Sequence, residues 1–177
     1  MAIASESALI VAFPDIEAVV GDLRQRLDPS ATWGVPAHVT VLYPFLPPEM
    51  LRSLDLAKIE EVASTTPAFP IQFTRTSWFA NQVLWLPPDP DGPLRQLSAR
   101  LYAAYPQCPP YGGAISDPVP HLTVADGANI ALMSEAEDVV AGRLPLSTVA
   151  TELTVMTGSR APGSWQTLAA FPFSAVG

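Results

Sequence analysis

The sequence predicts an α+β domain made of two halves of like order. Three observations carry this reading. Strand-period and helix-period segments alternate along the 177 residues. Their order restarts near Asn81. The only two histidines, His38 and His121, each open the same pattern, one in each half. That pattern is His38-Val39-Thr40-Val41 and His121-Leu122-Thr123-Val124. It alternates with period two, so in a strand His and Thr share one face and the apolar pair the other.

The first half runs as follows. Ser7 to Phe13 reads as a buried strand. Pro14-Asp15 then opens a helix to about Leu27, with Ile16, Val19, Val20, Leu23 and Leu27 on one stripe. Asp28-Pro29-Ser30 ends it. The first motif strand covers about Ala37 to Tyr43 and stops at Pro44, because proline offers no ladder donor. Pro48 to Ser64 reads as a helix carrying Leu51, Leu54, Ile59 and Val62, and Ile71 to Phe79 as an alternating strand.

The second half repeats that order. Val83 to Leu86 is a short strand, and Gly92 to Tyr105 a helix with Leu94, Leu97, Leu101 and Tyr102 inward. A Pro/Gly-rich loop covers Pro106 to Pro120. The second motif strand, His121 to Ala125, follows, then a helix from Ile130 to Leu144. Leu146 to Thr157 reads as one long strand, and Ser164 to Phe173 as the last. Residues 1–177 are expected to form a single domain with lobes of about 1–80 and 81–177, which can exchange strands. Paired symmetrically, the lobes bring one His and one Thr each to a common cleft.

Composition narrows the function classes. Apolar residues make up 49% and charged residues 15%, which supports a sizeable core. The net charge of −8, with one lysine, argues against long nucleic acid as a partner. No apolar run reaches membrane-spanning length. Met1 to Phe13 has no basic residue ahead of it and does not read as a signal peptide. The single Cys108 excludes an internal disulfide and a cysteine-based zinc site. A cytoplasmic protein is expected.

Two imidazoles in matched settings suit acid–base chemistry. Their unperturbed pKa near 6.5 allows one to be neutral while the other is charged. Such a pair can flank a phosphate, one taking a proton from the nucleophile and the other giving one to the leaving oxygen. Either imidazole can take either part. Thr40 and Thr123 lie two residues on, on the same face, where their hydroxyls can bind non-bridging oxygens. Arg160, in the loop Gly158 to Gly163, is a candidate phosphate clamp. Trp33, Tyr43, Trp78 and Tyr111 are candidates to stack a base, whereas Trp85 and Trp165 read as core. Asp117, Asp126 and Asp138 could join the histidines at a metal, but the chain lacks the short ligand spacing such sites use. No metal and no cofactor is expected.

With both motifs intact, Pro120 before the second histidine and Gly163-Ser164-Trp165 leading into the last strand, the chain resembles the two-histidine phosphoesterase superfamily. The likeness is to its 2'-5' RNA ligase and cyclic phosphodiesterase branch. The resemblance implies a bilobal, pseudo-symmetric α+β fold, with two antiparallel-rich sheets around a central cleft and helices outside. It implies His38, His121, Thr40 and Thr123 as the catalytic set, no metal, and substrates that are cyclic phosphates or 2'-linked nucleotides. The expected activity is metal-independent hydrolysis of such a diester. A non-catalytic protein that binds a nucleotide or small anion, and an RNA 2'-5' ligase, are the alternatives.

Overall fold

Both motif strands lie side by side in the middle of one sheet. The computed structural model of the protein describes residues 3–175. In chain order its helices and strands are β1 (Glu6–Ala12), α1 (Pro14–Leu27), α2 (Pro29–Trp33), β2 (His38–Leu42), α3 (Ser53–Ser64), β3 (Phe69–Phe73), β4 (Ser77–Phe79) and β5 (Val83–Leu86). There follow β6 (Pro88–Asp89), α4 (Gly92–Ala104), β7 (Leu122–Asp126), α5 (Ile130–Ala141), β8 (Leu146–Ala150), β9 (Glu152–Gly158) and β10 (Gln166–Pro172). Seven strands form an antiparallel sheet in the order β10-β9-β1-β2-β7-β5-β4, and three form a second in the order β6-β3-β8. The expected α+β class with two antiparallel sheets is what the chain adopts.

The two halves are joined through this arrangement. β1-α1-β2-α3-β3 and β5-α4-β7-α5-β8 follow one order of elements. The large sheet sets β1-β2 against β7-β5, and the small sheet sets β3 beside β8. The helices cross between halves, since α1 packs on β7 and α4 on β2. The inward face of the motif strands, Val39, Val41, Leu122 and Val124, is buried in a core that also takes Ile16, Phe73, Leu101 and Met133. The opposite face carries a smaller apolar cluster of Ala8, Ile10, Val35, Met156 and Trp165.

Several elements differ from the sequence reading. Asp28-Pro29-Ser30 ends α1 but also begins α2: the Asp28 carboxylate accepts the Ser30 N–H at 2.9 Å and Pro29 takes the first helical position. The helix expected from Pro48 is a 3₁₀ turn, Pro48–Met50, followed by an extended Leu51, and α3 begins only at Ser53. Leu54 is then 84% exposed and Leu56 faces the core in its place, while Ile59 is buried as expected. The strand expected over Ile71 to Phe79 breaks at Thr74–Thr76 and its parts join different sheets; Leu146 to Thr157 divides likewise at Thr151. Alternation reports burial, not which neighbour a strand pairs with, so it runs unbroken across a change of sheet. Tyr102 is 40% exposed rather than inward. Arg75 lies exposed in the break.

Gly158 ties the sheet to the site. A Cβ built there meets the Trp165 ring at 2.4 Å and its Cα at 2.7 Å. Gly158→Ala therefore forces Trp165 off its place, and overpacking of this kind costs about 1–3 kcal/mol. Denaturant unfolding followed by tryptophan fluorescence should show that loss together with an altered native emission.

Candidate active site

The register of β2 and β7 builds the site. Val39 stands opposite Leu122 in an antiparallel pair. That register places His38 across from Thr123 and Thr40 across from His121, all four on one face. The two imidazoles are on one diagonal of this square and the two hydroxyls on the other. β1 continues the rows, with Ile10 opposite Thr40 and Ala12 opposite His38, and β5 sets Trp85 opposite Thr123. The four motif residues are half-buried, while Val39 and Leu122 behind them are fully buried.

Both imidazoles are held in the same way. His38 Nδ1 donates to the Pro36 carbonyl at 2.7 Å, and His121 Nδ1 to the Val119 carbonyl at 2.7 Å. In each case the acceptor is two residues upstream. A carbonyl only accepts, so the ring proton is on Nδ1 and Nε2 is left for chemistry. His121 also meets Phe79 edge-on, with centroids 5.1 Å apart at 90°, and Trp85 at 5.9 Å and 73°.

Electrostatics separates the pair. Burial pushes the His38 pKa down to about 3, and the nearby Arg24 charge and His121 push the same way against its bond to Pro36. Burial also lowers His121, but the Val119 carbonyl and the Asp126 charge both work against the shift. A proton shared by the free site therefore resides on His121. Burial, with the Asp28 charge, raises Asp126 in turn.

Beside the square is a cavity of about 240 Å³, bordered by His38, Thr40 and Thr123 and by the apolar shelf of Ile10, Met156 and Trp165. Of the residues expected to bind substrate, Trp33, Tyr43 and Tyr111 border it. Arg160 lies beside two of these residues, 5.9 Å from the Trp33 ring and close to Tyr43, whose pKa burial and Glu6 raise against the Arg160 charge. Tyr43 donates to Glu6 at 3.0 Å, and Tyr111 lies against the Thr40 hydroxyl. Trp78 is not at the cavity; it packs on the main core. Trp85 and Trp165 are buried as expected, yet each borders the site. A trough of about 520 Å³ adjoins the cavity, shares Thr40, Tyr43 and Tyr111 with it, and is closed by α4 and the 106–120 loop. Among the described residues, no three His, Cys, Asp or Glu side chains converge as a metal site, and Asp117 is paired with Arg95.

The sequence reading missed a buried polar cluster next to His38. Arg24 is fully buried and forms ion pairs with Glu17 at 3.1 Å and Asp28 at 2.9 Å. Its position was the available signal: Ile16, Val20, Arg24 and Leu27 are the buried stripe of α1, with an arginine among the apolar residues.

Comparisons with known proteins bear on the family and the fold. The family model described as the 2'-5' RNA ligase superfamily matches residues 12–162. The chain belongs to this superfamily. Among curated proteins none matches. Among solved structures, TT0787 of Thermus thermophilus is 19% identical with a TM-score of 0.65, covering 96% of this chain and 98% of that one. E. coli LigT in its apo form is 18% identical with a TM-score of 0.63, covering 98% and 99%. E. coli LigT complexed with 3'-AMP is 18% identical with a TM-score of 0.59, covering 97% and 99%. At these identities the likeness establishes the fold.

The two histidines should titrate in order. In ring-resolved NMR, both are expected below the unperturbed 6.5, with His38 losing its proton at a lower pH than His121. A folded-state pKa below the unfolded value means the unfolded chain binds more protons between the two. Stability from His38 is thus present above about pH 6.5 and is lost as pH falls toward 3. Chemical denaturation across that window should decline less steeply in His38→Asn.

Proposed function

We propose that the protein is a phosphodiesterase that hydrolyses a 2',3'-cyclic phosphate or a 2'-linked nucleotide by two-histidine acid–base catalysis, without a metal. The matched pair carries this reading: two imidazoles on adjacent strands, each with Nδ1 fixed to the carbonyl two residues upstream. A phosphate set over the square has an Nε2 toward each end of one diagonal. One imidazole takes the proton of the attacking water as its oxygen bonds to phosphorus. The other delivers a proton to the oxygen that leaves. The Thr40 and Thr123 hydroxyls, on the other diagonal, donate to the non-bridging oxygens, where negative charge builds in the transition state.

The neighbouring cavity suits the organic part of such a substrate. Trp33, Trp165, Ile10 and Met156 give it flat, apolar walls, and Arg160 adds a cation beside Trp33. That E. coli LigT has been crystallised with 3'-AMP supports a small nucleotide as the occupant. The net charge of −8 and the single lysine favour a small diester over long RNA.

A panel of 2',3'-cyclic nucleotides, assayed with and without chelator, tests the reading. Turnover should survive chelation and be abolished in His38→Ala and in His121→Ala. Thr40→Ala and Thr123→Ala should each lower kcat by about 10²–10³-fold, as for a lost oxyanion donor. Unchanged turnover in both threonine variants would reduce those hydroxyls to strand formers.

The kcat/KM profile should be bell-shaped, since it reports the free enzyme's acid and base. Both imidazoles titrate below 6.5, so its maximum is expected on the acid side of that value. A maximum well above pH 7 would speak against the pair.

A further inference from the structure

The two halves hold their motif histidines through a second, deeper likeness. On α1, Arg24 Nη1 donates to the Val35 carbonyl at 3.2 Å. On α4, Arg95 Nη1 donates to the Pro118 carbonyl at 3.4 Å. Val35 and Pro118 each stand three residues ahead of a motif histidine. The next carbonyls, Pro36 and Val119, are the ones that receive His38 Nδ1 and His121 Nδ1. α1 and α4 occupy the same place in the repeated order, each leading toward a motif strand.

Carboxylates aim both arginines. Arg24 Nε and Nη2 donate to Asp28, and Nη1 also reaches Glu17. With Ser30 and Val35, all five of its N–H groups have acceptors. Arg95 Nε donates to Asp91 at 2.7 Å and Nη1 to Asp117 at 3.1 Å.

We propose that Arg24 and Arg95 are a matched pair of positioning residues, each fixing one imidazole through the backbone carbonyl three residues ahead of it. An arginine that pins one peptide plane limits rotation of the next, and the next carries the carbonyl that holds the Nδ1 proton. Neither arginine needs to touch substrate. The pair explains why charged side chains that cancel against carboxylates sit beside a phosphate site: the carboxylates hold each guanidinium so that one N–H reaches a backbone carbonyl.

The halves differ in how much else holds the segment. Around His38, the Ala37 N–H donates to Glu17 and the Ala37 carbonyl accepts from Phe13 N. Around His121 the equivalent residue is Pro120, which has no N–H to give. Arg95 is also 37% exposed, whereas Arg24 is fully buried. His121 therefore depends more on its arginine, and Arg95 can be replaced without emptying a core position.

The proposal rests on the two-histidine reading for its catalytic consequence, but its structural part is readable in the free protein. Ring nitrogen-15 NMR of the full chain distinguishes Nδ1–H from Nε2–H imidazole. In Arg95→Gln, the His121 signals should move from the Nδ1–H pattern toward a mixture, with the His38 signals and the melting temperature unchanged. On a confirmed diester, kcat should fall about tenfold or more, the scale of a small misplacement of a catalytic group, with KM little changed. Arg95→Lys, which keeps a donor, should recover part of both effects. Arg24→Lys should disturb His38 and not His121, and Arg143→Gln, an exposed arginine bonded to Val19, should change neither. Unmoved His121 signals in Arg95→Gln, or an unchanged kcat on a confirmed substrate, would overturn the proposal. If the wild-type protein turns over no diester, the enzymatic reading falls while the ring signals still decide the clamp.

Discussion

The pairing of β2 with β7, with Val39 opposite Leu122, is the constraint on which the site depends. These strands come from different halves of the chain, and their contact joins the halves within one sheet. The same register decides which side chains share a face. A slip by one residue would turn His38 and Thr40 into the core and bring Val39 and Val41 out. The burial of Val39 and Leu122 thus stabilises the fold and, by the same contacts, fixes the square of motif residues. Because α1 packs on β7 and α4 on β2, neither half can shift without disturbing the core of the other.

A second layer acts through charge. Arg24 is a fully buried cation with two carboxylate partners and no unused donor. Removing one member of such a cluster leaves an uncompensated charge, a loss of about 3–5 kcal/mol. Its positive field reaches His38 and, with burial, keeps that imidazole neutral. Asp126 exerts the opposite influence on His121. Two motifs of one pattern on one sheet face thereby acquire unequal proton affinities, through burial first and then through the charges of Arg24 and Asp126 outside both motifs. An anionic substrate between them would oppose the effect of burial on both rings.

The apolar cluster on the site's side of the sheet gives the square a direction. Ile10, Met156, Val35 and Trp165 are packed there on a face that elsewhere bears polar groups. Gly158 is what lets Trp165 lie flat against β9, and Gly34, with φ of 105°, lets the end of α2 pass close to the Trp165 carbonyl. A flat apolar wall next to paired imidazoles fits a phosphate joined to a planar group on one side.

By itself the sequence determined the two motif strands, their shared face, the repeated order of elements and the four residues of the square. Those follow from local periodicity, which a short window of residues contains. It also offered Trp33, Tyr43, Trp78 and Tyr111 as aromatic candidates for the site, and three of the four border the cavity. Long-range packing made the motif strands direct neighbours, divided Ile71 to Phe79 and Leu146 to Thr157 between two sheets, and turned Trp78 to the core. It alone brought Arg24 beside His38, aimed Arg95 at Pro118 and set Asp126 near His121. Alternation tells which side of a strand is buried; it does not tell what lies across from it. Pairing, proton affinity and the aim of a long side chain depend on groups distant along the chain, and these meet only when the core closes.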